Sequence, residues 1–114
     1  MKTEIEIKQR FSGRETFTLP PRQSEQYLRM FPNARTHCGL VICRVPEEYT
    51  VSGHVGNIKI SGNIVEHPNG YSWFILASKR WHFVKAFSGL APTVQKAKQL
   101  IERLLKAIQQ GEQH

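Results

Sequence analysis

Aspartate is absent from the sequence, so all nine acidic residues are glutamates. Metal-dependent phosphoryl transfer normally gathers several carboxylates around Mg²⁺, and the only adjacent pair here is Glu47 and Glu48. A Ser-His-Asp triad is excluded by composition, although a glutamate can take the acidic place. The sequence also lacks a phosphate-binding glycine loop, an HExxH motif and a nucleophile elbow. We therefore expect a protein that is not an enzyme and that uses no cofactor and no metal.

Cysteine is scarce, and long apolar runs are missing. Cys38 and Cys43, if they share a strand, point to opposite faces because their spacing is odd, so they cannot pair with each other. Two unpaired thiols are typical of a reducing compartment, and a zinc site that adds His37 and His54 matches no common spacing. No stretch approaches the ~18 apolar residues of a membrane span, and residues 1–6 lack the apolar core of a secretory signal. These absences predict a cytoplasmic protein with no membrane partner.

The first third of the sequence predicts a β-hairpin and a short helix. Apolar and polar residues alternate through Lys2–Lys8 and again through Glu15–Leu19, with turn residues at 12–14 between them. Ser24 is the predicted N-cap of a helix over Glu25–Phe31.

The middle of the sequence predicts further strands. They are expected over 40–45, 49–55, 58–64, 71–77 and 80–87. Gly56–Asn57 is a typical two-residue hairpin turn, and a second turn is expected at 67–70. A β-bulge is expected near 61–63.

The last element is a long amphipathic helix. Thr93 is its predicted N-cap, and Gly111 is its predicted left-handed C-terminal cap. Its apolar residues recur at helical spacing: Val94, Ala97, Ile101, Leu104, Leu105 and Ile108. The predicted fold class is α+β, an antiparallel sheet with an N-terminal hairpin, a short helix after it, and the long C-terminal helix packed on one sheet face. We expect a single domain over 1–111 and a frayed tail over 112–114.

Positive charge is concentrated in the last 44 residues. The whole chain carries a net charge of +7, and residues 71–114 hold seven basic and two acidic residues. No acidic residue lies between Glu66 and Glu102, and on the C-terminal helix Lys96, Gln99, Arg103 and Lys106 form one polar stripe. Clustering of this kind is typical of a polyanion-binding protein. The alternative is an ordinary solvated surface with a basic bias.

Six of the eleven aromatic residues lie in Tyr71–Phe87. With Ser78–Lys79 as the turn, one face of this hairpin is apolar and is expected to pack on the C-terminal helix: Phe74, Leu76, Trp81 and Phe83. The other face mixes aromatic and basic groups: Tyr71, Trp73, Ile75, Arg80 and His82. Aromatic rings beside cations can stack nucleobases or form a protein interface. The alternative is that the first hairpin covers this second face and makes Trp73 part of the core.

Residues 62–109 resemble the small DNA-binding domains of the AP2 and integrase arm-binding kind, which consist of a three-stranded sheet and a helix. The matching features are a strand tryptophan at Trp73, Gly89 before the helix, the Thr93 cap and Ala97 one turn later. The resemblance implies that the sheet enters the major groove with the helix behind it. Three sheet residues would then reach DNA: Arg80, His82 and Lys85.

These observations predict a small, basic, non-catalytic nucleic-acid-binding protein of phage or plasmid type, with DNA favoured over RNA. The predicted binding residues are Tyr71, Trp73, Lys79, Arg80, His82, Lys85, Lys96, Arg103 and Lys106. The alternative is a protein-interaction module, an inhibitor or adaptor, that binds an acidic partner protein through the Tyr71/Trp73 face or the first hairpin. The edge strands and the aromatic content also allow a homodimer.

Overall fold

The computed structural model describes residues 3–80 and 82–112, with the backbone alone at 82–84 and 112. The strands in this part of the chain are β1 Thr3–Phe11, β2 Thr16–Leu19, β3 Thr36–His37, β4 Leu40–Arg44, β5 Glu48–Val55, β6 Ile58–His67, β7 Gly70–Lys79 and β8 His82–Ala91. The helices are α1 Glu25–Met30, between β2 and β3, and α2 Val94–Glu112.

The strands form two antiparallel sheets. The large sheet has the order β1-β5-β6-β7-β8, and the small sheet has the order β2-β4-β3. Helix α2 packs on one face of the large sheet, against β5, β7 and β8. The predicted α+β class, with a long C-terminal helix on an antiparallel sheet, is confirmed.

The predicted N-terminal hairpin is wrong in its pairing, although both strands exist. β1 pairs with β5, with Ile7 opposite Val51, whereas β2 pairs with β4 in the small sheet. The pairing with β5 lets Ile5 and Ile7 pack against the buried core. Burial of apolar side chains therefore outweighs the short loop that a local hairpin would need.

The turns of the large sheet follow the sequence signals. Gly56–Asn57 connects Val55 to Ile58, and the turn after His67 ends at Gly70, as predicted. The bulge predicted near 61–63 is wrong, because the pairing of β5 with β6 has no shift there. The irregularity lies instead between β7 and β8, beside Ala77 and Ser78.

The two faces of β7 are the reverse of the prediction. Lys79 pairs with His82, so the turn lies later than Ser78–Lys79 and includes Arg80 in a left-handed conformation (φ 56°). Ile75 is fully buried under α2, whereas Phe74 is 42% exposed on the other face. A shift of the turn changes which residues oppose each other. Trp81 and the side chain of Phe83, both predicted to face the helix, lie outside the described part of the structure.

Helix α2 forms as the sequence predicts. The Thr93 hydroxyl accepts the backbone N–H of Lys96 at 3.1 Å, which confirms the N-cap. Four residues of the predicted apolar stripe are buried and two are partly buried: Val94, Ala97, Ile101 and Leu105, then Leu104 and Ile108. Gly111 lies inside the helix, so its predicted role as a left-handed cap is wrong.

Helix α1 differs from the prediction in its cap. Ser24 precedes the helix, but its hydroxyl donates to the carbonyl of Pro21 at 3.1 Å instead of capping a helical N–H. The predicted tail begins at Glu112, which is still helical, while residues 113 and 114 lie outside the described part. Among the described helices, none has the length and apolar character that a bilayer crossing needs.

Candidate functional site

The glutamates of the first two thirds of the chain all have partners within the protein. Each of the seven between Glu4 and Glu66 accepts a hydrogen bond or lies in an ion pair: Glu4 with His54, Glu6 with Lys8, Glu15 with Ser12, Glu25 with Arg29, Glu47 with Tyr71, Glu48 with Arg10, and Glu66 with Arg44. These glutamates therefore have contacts within the protein, and four of them pair with a lysine or an arginine.

The cations of the last third are less engaged than these glutamates, as are Arg14, Arg22, Arg35 and Lys59 earlier in the chain. Five cations of the last third are exposed, and within residues 3–80 and 82–112 none of the five has an ion-pair partner: Arg80, Lys85, Lys96, Arg103 and Lys106. We call these five residues the basic surface. Lys79 is also exposed, at the end of β7. The positive charge of this region is available to an external anion.

Four residues of the basic surface lie on the helix side of the large sheet, and Arg80 lies in the turn after β7. Lys85 is opposite Ala77, on the sheet face that α2 covers, and its Nζ lies 5.2 Å from the ring centroid of Phe87. Lys96, Arg103 and Lys106 lie on the outward side of α2, opposite its buried stripe, as the sequence predicts. They span about 15 Å along the helix at 1.5 Å per residue. A row of cations on this scale can contact successive phosphates.

The predicted aromatic members of the site are not on this surface. Tyr71 is partly buried, and its hydroxyl donates to Glu47 Oε2 at 3.0 Å. Trp73 packs against the core, and a Cβ at Gly89 would lie only 2.8 Å from its ring. Trp73 is about 23 Å along β7 from Arg80 at 3.3 Å per residue. The prediction that these rings lie beside the basic residues on an exposed face is therefore wrong, and the covering element is α2, not the first hairpin.

The open face of the large sheet, the face that α2 does not cover, has few basic residues in β6 to β8. Lys85 and Arg80 were expected to reach DNA from the sheet face opposite the helix, but Lys85 lies on the helix side. The backbone of His82 begins β8, opposite Lys79. On the open face of β6, β7 and β8, most described positions carry small polar or apolar side chains, and the exceptions are Lys59, opposite Ser78, and His67 at the end of β6.

A polar joint connects the two sheets. We use this name for Arg44, Glu47, Tyr49, Glu66 and Tyr71. Arg44 Nη2 lies 2.8 Å from Glu66 Oε1, and the same oxygen accepts the backbone N–H of Glu47 at 3.0 Å. The carboxylate of Glu47 accepts the hydroxyls of both Tyr49 and Tyr71. Sequence reasoning missed this cluster because strand register brings together residues that are far apart in the chain.

The joint raises the pKa of its tyrosines. The hydrogen bond from Tyr49 to the Glu47 carboxylate, reinforced by burial, raises the pKa of Tyr49 to about 12. Burial, and then the bond to Glu47, raises the pKa of Tyr71. Lys98 Nζ lies 5.1 Å from the ring centroid of Tyr49, which places this lysine over the joint. Both tyrosines are therefore neutral hydrogen-bond donors at neutral pH.

This arrangement predicts a loss of stability in alkali. The pKa of Tyr49 is higher in the folded state than its ordinary value of 10.0. The contribution of Tyr49 to the free energy of unfolding is therefore complete below pH 10.0 and is lost as the pH rises through about 12. Tyr49→Phe should reduce the alkaline loss of unfolding free energy by about 1 kcal/mol. This is less than the full pKa shift implies, because solvent screens the partly exposed ring. Denaturant unfolding at several alkaline pH values measures the difference, and parallel curves for the two proteins would contradict it.

The residues considered for a zinc site are not brought together. Cys38 is exposed and Cys43 is buried, and both thiols are free. His54 lies on the large sheet, with Nε2 3.8 Å from Glu4 Oε2. In the described part of the chain, no three metal-ligating side chains form a cluster.

No protein-family model, curated protein or solved structure is detectably similar to the chain. The resemblance of 62–109 to three-stranded DNA-binding domains therefore stays a prediction. The order β6-β7-β8-α2 agrees with it, but the large sheet has two further strands, β1 and β5.

Proposed function

We propose that the protein is a small, non-catalytic nucleic-acid-binding protein and that it binds through the basic surface. One observation carries this proposal: each glutamate from Glu4 to Glu66 has a partner within the protein, whereas the five cations of the basic surface have no ion-pair partner in the described residues. Uncompensated, exposed cations are the groups that replace counterions along a phosphate backbone.

The expected binding mode is contact with the phosphate backbone and not base reading by the sheet. Tyr71, Trp73 and Phe87 pack against the core, so these rings offer no stacking platform beside the cations, and the exposed Phe74 lies on the open face. In the described residues the open face of β6 to β8 has Lys59 as its one lysine or arginine, whereas a groove-reading sheet would carry several long basic donors. We therefore expect binding that tolerates changes of sequence, with DNA as the first partner to test. The two free thiols support a cytoplasmic setting.

The proposal predicts strongly salt-dependent binding. With five phosphate contacts, the affinity for duplex DNA should fall by two to three orders of magnitude between about 50 mM and about 200 mM salt. Replacing Lys96, Arg103 and Lys106 together with glutamine should lower the slope of log K against log salt by about three. Fluorescence anisotropy with labelled DNA and RNA, over a series of salt concentrations, measures both quantities.

The matched control neutralises three exposed cations elsewhere, Lys8, Arg22 and Arg29. It changes the net charge of the protein equally, so any effect that the two variants share reports overall charge and not the basic surface. The proposal fails if the wild-type protein binds neither DNA nor RNA at the lower salt. It also fails if both triple variants weaken binding to the same extent.

A second candidate function is protein interaction through the open face. Phe74 is 42% exposed and Leu90 is 79% exposed, and their strands place them on one face, where Lys59 is the one charged residue among the described positions of β6 to β8. Exposed apolar residues within a region of few charges are typical of protein interfaces. This surface differs from the Tyr71/Trp73 face first considered for a partner, and it suits an apolar partner better than an acidic one. Loss of nucleic-acid binding in the test above would make this the leading function.

A further inference from the structure

A cleft of about 810 Å³ lies in the small sheet, away from the basic surface. One wall is a face of the sheet, where the pairing of Thr16 with Arg44 places them beside Ile42. The other wall is the segment from Tyr27 to Arg35, which includes the end of α1 and the turn after it. The volume lies within the range of about 300–1,000 Å³ that is typical of small-ligand sites.

Three arginines line this cleft and no glutamate does: Arg14, Arg35 and Arg44. Arg44 is already held by Glu66 and by the carbonyl of Gly13, which its Nη1 meets at 3.0 Å. Arg14 and Arg35 are exposed and have no ion-pair partner in the described part of the chain. They are two uncompensated guanidinium groups at the edge of a concave site.

The cations of this region are all of one type. Between Lys8 and Lys59 every basic residue is an arginine, whereas lysine predominates in residues 71–114. A guanidinium group binds the oxygens of a phosphate through two parallel hydrogen bonds and also stacks on aromatic rings. This choice of residue favours recognition of an oxyanion over general positive charge.

Aromatic rings lie beside these arginines. Tyr27 and Phe31 both line the cleft, with ring centroids 4.9 Å apart, and Met30 beside them is 48% exposed. The hydroxyl of Tyr27 accepts the backbone N–H of Arg44 at 2.9 Å. In the described residues nothing accepts its proton, so this hydroxyl is a donor for a ligand.

We propose that this cleft binds a nucleoside phosphate. The phosphate would meet Arg14, Arg35 and the Tyr27 hydroxyl, and the base would stack on the surface that Phe31 and Met30 expose. The same chemistry is present in a free nucleotide and in one unit of a single strand. The site is separate from the basic surface, so each of the two proposals can fail without the other.

Calorimetric titration of the full chain with adenosine monophosphate, adenosine and inorganic phosphate tests the site. The nucleotide should bind at least about tenfold more tightly than either fragment, because only it makes both contacts. Arg14→Gln and Arg35→Gln should each lower the affinity for the nucleotide by about tenfold, and Phe31→Leu should lower it by about fivefold. Arg22→Gln, which removes an equal charge outside the cleft, should leave binding unchanged.

An oligodeoxyadenylate of about six nucleotides distinguishes the two sources of the ligand. It is titrated into the variant that lacks Lys96, Arg103 and Lys106, so that the basic surface does not contribute. Tighter binding than the mononucleotide, lost in Arg35→Gln, would identify a single strand, and equal binding would identify a free nucleotide. The proposal is overturned if phosphate binds as tightly as the nucleotide, or if both arginine variants bind it as the wild type does.

Discussion

Gly62→Ala is expected to destabilise the protein by about 3 kcal/mol or more, enough to abolish folding in a marginally stable domain. A Cβ at this position would lie 2.0 Å from the carbonyl oxygen of Phe74 and 2.9 Å from Cδ1 of Ile75. Gly62 is directly opposite Ile75 in the pairing of β6 with β7, at the centre of the large sheet. Because the nearest clashing atom belongs to the backbone, relief requires separation of the two strands.

Chemical denaturation followed by tryptophan fluorescence measures this cost. Gly111→Ala is the matched control, because it adds the same methyl group to a helical position with no atom within 4 Å. An alanine there should be neutral or should stabilise α2 by up to about 1 kcal/mol. Equal unfolding free energies for the two variants would contradict the packing of β6 against β7.

The elements that the sequence predicts correctly are those with local signals. Helix α2 has a cap at Thr93 and an apolar stripe of helical period, and both depend on residues a few positions apart. The turn at Gly56–Asn57 has a residue type that adopts a left-handed conformation easily, here with φ 59° at Gly56. Such features require no knowledge of distant strands.

The strand partners and the hairpin faces depend on distant residues. Alternation in Tyr71–Lys79 defines two faces, but Phe74 and Leu76 on one are as apolar as Trp73 and Ile75 on the other. Glycines in the strands on either side of β7 determine which of its two faces is buried. Gly62 and Gly89 flank β7 on the same face as Trp73, and their lack of side chains makes room for Ile75 and the indole ring. A glycine predicts the buried face only when the residue that it pairs with in the neighbouring strand is known.

The candidate sites also differ in whether their residues can be predicted from local sequence. Exposure of Lys96, Arg103 and Lys106 follows from helical spacing alone, since they lie opposite the buried stripe of α2. The polar joint and the arginine cleft join residues from separate elements, such as Arg44 with Glu66, through the register of two sheets. Charge can therefore be placed from the sequence, whereas a concave site requires the fold.

Ile75→Ala is expected to cost about 3–4 kcal/mol, while Phe74→Ala should cost only about 1 kcal/mol. The two residues are adjacent on β7, so the substitutions share their strand and their chain environment. Ile75 is fully buried beneath α2, where a smaller side chain leaves a cavity, and Phe74 already has 42% of its surface in water. Phe74→Ala should therefore destabilise the protein less than Ile75→Ala, although it removes the larger volume.

Equilibrium unfolding of both variants, with circular dichroism to compare their native spectra, decides which face α2 covers. The reverse order of costs would place α2 on the Phe74 and Leu76 face, as the alternation alone first indicated. Trp73 would then lie on the open face, where its ring could stack a base, and binding through the phosphate backbone alone would no longer follow. The predicted order instead keeps Tyr71 and Trp73 on the helix side of the sheet and leaves nucleic-acid contact to the cations of the basic surface.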